Sequence, residues 1–89
     1  MANRYLEVTY RKGKPLSAYF YLPRRSGDTS VRVEPHGDAF LVDWTEDGRP
    51  IGIEMPSPSL ITVDGLNRVL SELHLDPVAP EDVAPVVAA

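Results

Sequence analysis

Eighty-nine residues without a cysteine leave room for one domain and exclude disulfides, thiolate metal sites and cysteine nucleophiles. No apolar run nears the ~18 residues of a membrane span, and the polar start 1–4 lacks a signal-peptide core, so the expectation is a cytoplasmic protein without membrane association. The net charge of −4 hides a split: residues 1–33 carry seven Lys/Arg against Glu7 and Asp28 (+5), whereas residues 34–89 carry two Arg against eleven acids (−9).

From the N-terminus, apolar and polar residues alternate with period two, interrupted by turn-forming clusters. The pattern predicts strands over 5–10, 16–22, 29–34, 39–44 and 51–55. The intervening breaks are short, so an antiparallel meander is expected. Asp47-Gly48 is the strongest hairpin signal, because a type I′ turn needs positive φ at both central residues. Centring that turn pairs Trp44 with Ile51, Val42 with Ile53 and Phe40 with Met55, all on one face. Centring the preceding turn on His36-Gly37 adds Val33 and Val31 to that face. A three-residue loop at Lys12-Gly13-Lys14 pairs Tyr10 with Leu16, Val8 with Ala18 and Leu6 with Phe20. A one-residue slip at any of these turns would send an apolar set to solvent. Trp44 is therefore expected to be buried.

Beyond the Pro56-Ser57-Pro58-Ser59 joint, Val63, Leu66, Val69, Leu70 and Leu73 recur at helical spacing. Thr62 is the expected N-cap, and Asp64 sits where the helix dipole favours an anion. Asp76-Pro77 stops the helix near His74, whose side chain is expected at the helix C-terminal carbonyls. Residues 77–89 read as a proline- and alanine-rich tail whose valines lack a place in the sheet-and-helix plan, following a single domain over 1–76. Nine prolines, about twice the usual share, fit such a plan better than one of long helices. The fold class is α+β: a five-stranded antiparallel meander with one C-terminal helix packed on one face.

The segment from Ser17-Ala18-Tyr19-Phe20-Tyr21-Leu22 to Phe40-Leu41-Val42-Asp43-Trp44, continuing through Gly48 to Gly52-Ile53-Glu54-Met55, resembles the bacterial domain-of-unknown-function family 2283. Asp43, Gly48, Gly52, Ile53 and Glu54 match its strand, acid-glycine turn and G-I-E pattern. Trp44 and Thr45 depart from it, as does the longer Arg24-Arg25 loop. The resemblance implies no activity and no site residue. It does imply one alternative role, an antitoxin-like protein that neutralises a small toxin partner.

The sheet face away from the helix is the candidate interaction face. The meander register places Glu7, Tyr19, Arg32, Leu41 and Glu54 in one cross-strand row, beside Tyr5, Tyr21, Ser30, Asp43 and Gly52. Tyrosine and arginine are common interface residues. The face therefore suits a partner or a second copy better than a substrate, with Glu7, Tyr19, Tyr21, Arg32, Leu41, Asp43 and Glu54 as its residues. Asp43 and Glu54 could share acid and base duties as diagonal neighbours, but an open sheet offers them no depth. A small-ligand or catalytic protein is the remaining alternative. Gly52, opposite Asp43, reads as a place where an aromatic ring or backbone comes close.

The cations fall at opposite ends of the sheet, Arg11, Lys12 and Lys14 at one and Arg24 and Arg25 at the other, which disfavours a nucleic-acid stripe. Neither histidine has a second ligand at i+3 or i+4, so no metal is expected, and no nucleotide fingerprint or cofactor motif is present. One helix is only ~10 Å wide, whereas five strands at ~4.8 Å spacing span roughly 20–24 Å. Uncovered apolar surface on that scale points to a homodimer. The sequence thus points to a non-enzymatic, self-associating protein-interaction module.

Overall fold

The computed structural model describes residues 4–87, so residues 1–3 of the polar start and Ala88 and Ala89 of the tail lie outside the described residues. Five antiparallel strands form one sheet: β1 (Tyr5–Arg11), β2 (Lys14–Tyr21), β3 (Arg32–His36), β4 (Phe40–Trp44) and β5 (Pro50–Met55). Helix α1 (Val63–Glu72) and a short C-terminal helix α2 (Ala84–Val87) follow. The α+β class, the antiparallel sheet and the helix on one face agree with the sequence reading.

The strand order does not. It is β1-β2-β5-β4-β3, in which β3, β4 and β5 are joined by hairpins and β5 returns to lie beside β2. That is a Greek key rather than a meander. Two features of the chain explain the order. Pro35 cannot donate a ladder hydrogen bond, which suits β3 to an edge. In β5, Ile51, Gly52 and Ile53 are all buried, as a central strand requires.

Residues 22–31 therefore cross the end of the sheet from β2 to β3. The crossing is anchored by Leu22 N–H donating to Ile51 O (3.2 Å) and Val31 N–H donating to Trp44 O (2.9 Å). Between these points Arg49 grips Asp28 through two parallel bonds of 2.6 and 2.9 Å, and the Arg25 N–H donates to the same carboxylate at 2.7 Å. The guanidinium, then the backbone donor, hold the Asp28 carboxyl down to about 2.

Turn geometry sets three further differences. At Asp47-Gly48 only Gly48 has positive φ, and Gly48 N–H donates to Thr45 O while Thr45 N–H donates to Arg49 O. This is a type I turn closed by a left-handed glycine, not type I′. Val42↔Ile53 holds as expected, but a bulge then shifts Trp44 opposite Pro50 instead of Ile51. Trp44 is consequently half-buried rather than buried, and its Nε1–H has no partner among the described residues.

The β3–β4 loop is Gly37-Asp38-Ala39, pairing His36 with Phe40 and Arg32 with Trp44. The side chains of β3 are thereby reversed from expectation. Val31 and Val33 are exposed, and Arg32 stacks over the Trp44 ring, its Cζ 4.9 Å from the ring centre. At β1–β2 the type I′ loop is Lys12-Gly13, both with positive φ. Val8↔Ala18 and Leu6↔Phe20 hold, while Leu16 bulges out and leaves Tyr10 opposite Pro15.

Thr62 caps α1 by accepting from Gly65 N–H at 3.0 Å. Leu66, Val69 and Leu70 pack on Phe20, Phe40, Val42, Ile53 and Met55 in one core. The tail belongs to that core as well: Val78, Val83 and Val86 are buried within it. Asn67 holds Val78 of the tail by both amide atoms, accepting from Val78 N–H (2.8 Å) and donating to Val78 O (3.1 Å). Arg4 donates to Asp76 O and Pro77 O. The tail valines thus dock in cis beside α1 and cover part of the sheet's core face.

Candidate interaction face

Strand alternation directs Leu6, Phe20, Ile53 and Val42 to the core and their neighbours to the opposite face. The observed register builds two rows there. One is Glu7–Tyr19–Glu54–Leu41–Pro35, and the other is Tyr5–Tyr21–Gly52–Asp43–Val33. Six of the seven expected residues, Glu7, Tyr19, Tyr21, Leu41, Asp43 and Glu54, share this face. Arg32 lies on the other side of the sheet, because the three-residue loop before β4 reverses the alternation of β3.

The centre of the face is a hydrogen-bonded cluster. Asp43 is only 5% exposed although it lies on the face opposite α1. It is covered by its own partners: Tyr19 Oη–H donates at 2.7 Å and Ser30 Oγ–H at 3.1 Å. The Tyr19 ring reaches Asp43 by lying flat across Gly52. A Cβ at position 52 would stand 1.8 Å from the Tyr19 hydroxyl. The close approach expected of Gly52 is therefore made by a ring of the same sheet.

Arg24 arches back from the crossover, donating to Ile51 O at 2.7 Å and Tyr19 Oη at 3.4 Å, with its Cζ 5.1 Å from the centre of the Tyr21 ring. Tyr21 stacks on Tyr5 (4.4 Å between centroids), meets Tyr19 edge-on (4.6 Å) and donates to Glu7 at 3.2 Å. Such aromatic pairs are each worth about 0.5–1.5 kcal/mol beyond the area they bury.

Two titrations follow from this packing. Burial, then the hydrogen bond to the Asp43 carboxylate, push the Tyr19 phenol well above its usual range, which makes it a fixed donor. Burial, then the adjoining Asp43 carboxyl, raise Glu54 above the ordinary carboxylate range, so Glu54 keeps its proton longer than a free glutamic acid. The hollow beside Glu54, between Glu7, Ser17, Tyr19 and Pro56, is shallow, about 190 Å³.

Ser30 stands on this face as the register expects, whereas Arg24, expected in a turn at the end of the sheet, is carried over the face by the Greek-key crossing. Its signal was the length of segment 22–31 together with Pro35. Elsewhere, the ring nitrogens of His36 meet Glu34 (3.1 Å) and Glu72 (3.0 Å), tying β3 to α1. Among the described residues no group of three or more His, Asp or Glu could hold a metal ion, and no helix is long and apolar enough to cross a membrane. Compared with known proteins, the chain matches no family model, no curated protein and no solved structure.

Proposed function

We propose that this chain is a non-enzymatic protein-interaction module that self-associates and presents its open sheet face to partners. The observation that carries the reading is the asymmetry of the sheet. Its core face lies beneath α1 and the docked tail, whereas the opposite face leaves Tyr5, Val31 and Val33 at least half exposed. Tyr19, Tyr21 and Leu41 lie between them, half-buried. Aromatic and aliphatic surface of this kind, pre-ordered by its own hydrogen bonds, binds with little ordering cost.

The engagement of Asp43 by Tyr19 and Ser30 supports a binding role over a catalytic one, since those bonds occupy the carboxylate that would have to act as base. The carboxylates of Glu7 and Glu54 on the same face favour a basic partner. With the resemblance to family 2283, that supports a toxin-like protein as a second reading.

Sedimentation of the full chain up to about 100 μM tests self-association. The expected result is a reversible rise from one chain mass to two, and a single 9.8 kDa species throughout would overturn the reading.

A further inference from the structure

The two edges of the sheet are unequal. The β3 edge is five residues long and contains Pro35, which has no N–H to offer. The β1 edge is seven residues long without proline, and no other described strand pairs with its outer side. An open edge of that length is a template for another strand.

Two features of β1 indicate that the other strand is a second β1. The first is charge. Glu7 and Arg11 stand four residues apart on the open face, so β1 is complementary to itself when reversed. An antiparallel copy centred on Thr9 places Glu7 directly opposite Arg11 of the second copy, in both halves of the pair. Centring on Val8 would set the two Glu7 carboxylates diagonal to each other, and centring on Glu7 would oppose them, which charge disfavours.

The second feature is shape. On the core side, half-buried Leu6 and Val8, with Tyr10 and with Val78 and Pro85 of the tail, line an open groove of about 650 Å³. The Thr9-centred pairing sets Tyr10 of the second copy opposite Val8, beside this groove. The Tyr10 side chain is 54% exposed in the single chain.

We infer that two copies join antiparallel along β1 into one continuous two-fold sheet, each setting Tyr10 beside the groove between the other's β1 and tail. The inference rests on the self-association reading and specifies its interface. It leaves the open faces of both copies side by side and free.

Glu7→Arg and Arg11→Glu test it in the full chain. Each alone sets like charges against each other in both halves of the pair, and should weaken dimerisation about tenfold. Mixed in equal amounts they should form a heterodimer close to the wild-type affinity, because every Arg then faces a Glu. In the unmodified protein, β1 amides should gain hydrogen-exchange protection as concentration rises through the dimerisation range. If both variants dimerise as the wild type does, if mixing restores nothing, or if β1 protection is independent of concentration, the edge pairing is overturned while self-association stands. A wild-type chain that never dimerises overturns the self-association reading itself.

Discussion

Glu54 and Asp43 place two carboxyl groups side by side on an open sheet, and the cost of that arrangement depends on pH. With its folded-state value raised, Glu54 binds its proton more tightly in the native chain than in the unfolded one. Below the ordinary value of 4.5 both states hold the proton and nothing is lost. As pH rises through the folded value the native state must give the proton up at a partly buried site beside Asp43, so stability falls with rising pH. Glu54→Gln removes the repulsion and supplies an amide donor to Asp43. Thermal melts should show a higher midpoint than wild type near neutral pH, and equal midpoints at about pH 4 and below. A variant less stable at neutral pH would mean that a nearby cation compensates the Glu54 charge and outweighs its burial and the repulsion from Asp43. Gly52 was legible here from sequence, because a glycine inside a strand implies a close neighbour. Ser30 was legible too, in the row with Asp43, whereas Arg24 was not, because its place over the face depends on the crossing from β2 to β3.

Helix α1 ends on His74, a non-glycine residue at φ 60°. The ending is a Schellman motif, in which Leu75 N–H donates to Leu70 O (2.8 Å) and His74 N–H to Ser71 O (3.0 Å). The bond that His74 makes to a helix C-terminal carbonyl is from its backbone N–H and not from the expected side chain. His74→Gly relieves the left-handed strain, and the expected gain is about 0.5–1 kcal/mol by denaturant titration. A loss instead would assign His74 a side-chain role. The helix was readable in full because cap, stripe and stop are all local: Thr62, the Leu66–Val69–Leu70 spacing and Asp76-Pro77. Strand order was less readable, since it depends on which non-adjacent strand fills the centre of the sheet. Consecutive strands pair more often than not, and that tendency favoured the meander. Pro35 and the unbroken burial of Ile51-Gly52-Ile53 decided otherwise. Turn type was misread for a related reason: an acid-glycine pair suits both type I′ and a type I turn with a left-handed glycine. The choice between them at Asp47-Gly48 moved Trp44 by one residue.

Across the whole molecule, the tail decides how complete a single chain is. A single helix is too narrow for a five-stranded sheet, and the chain makes up the shortfall from its own last residues. Val78, Val83 and Val86 each bury a side chain worth about 1.5–3 kcal/mol as an upper estimate, so docking contributes several kcal/mol. For a domain of this length, whose net stability is of order 5–10 kcal/mol, that is a decisive share. Truncation after Pro77 therefore acts on folding, because it removes Val78, Val83 and Val86 from the shared core. The truncated protein is expected to lose most of its cooperative thermal transition, while Asn67→Ala, which cuts only the clamp on Val78, should cost about 1–3 kcal/mol and keep the transition. The pair separates docking in cis from docking on a partner. Loss that is independent of protein concentration places the tail on its own sheet, whereas stability restored at high concentration would place it on another copy.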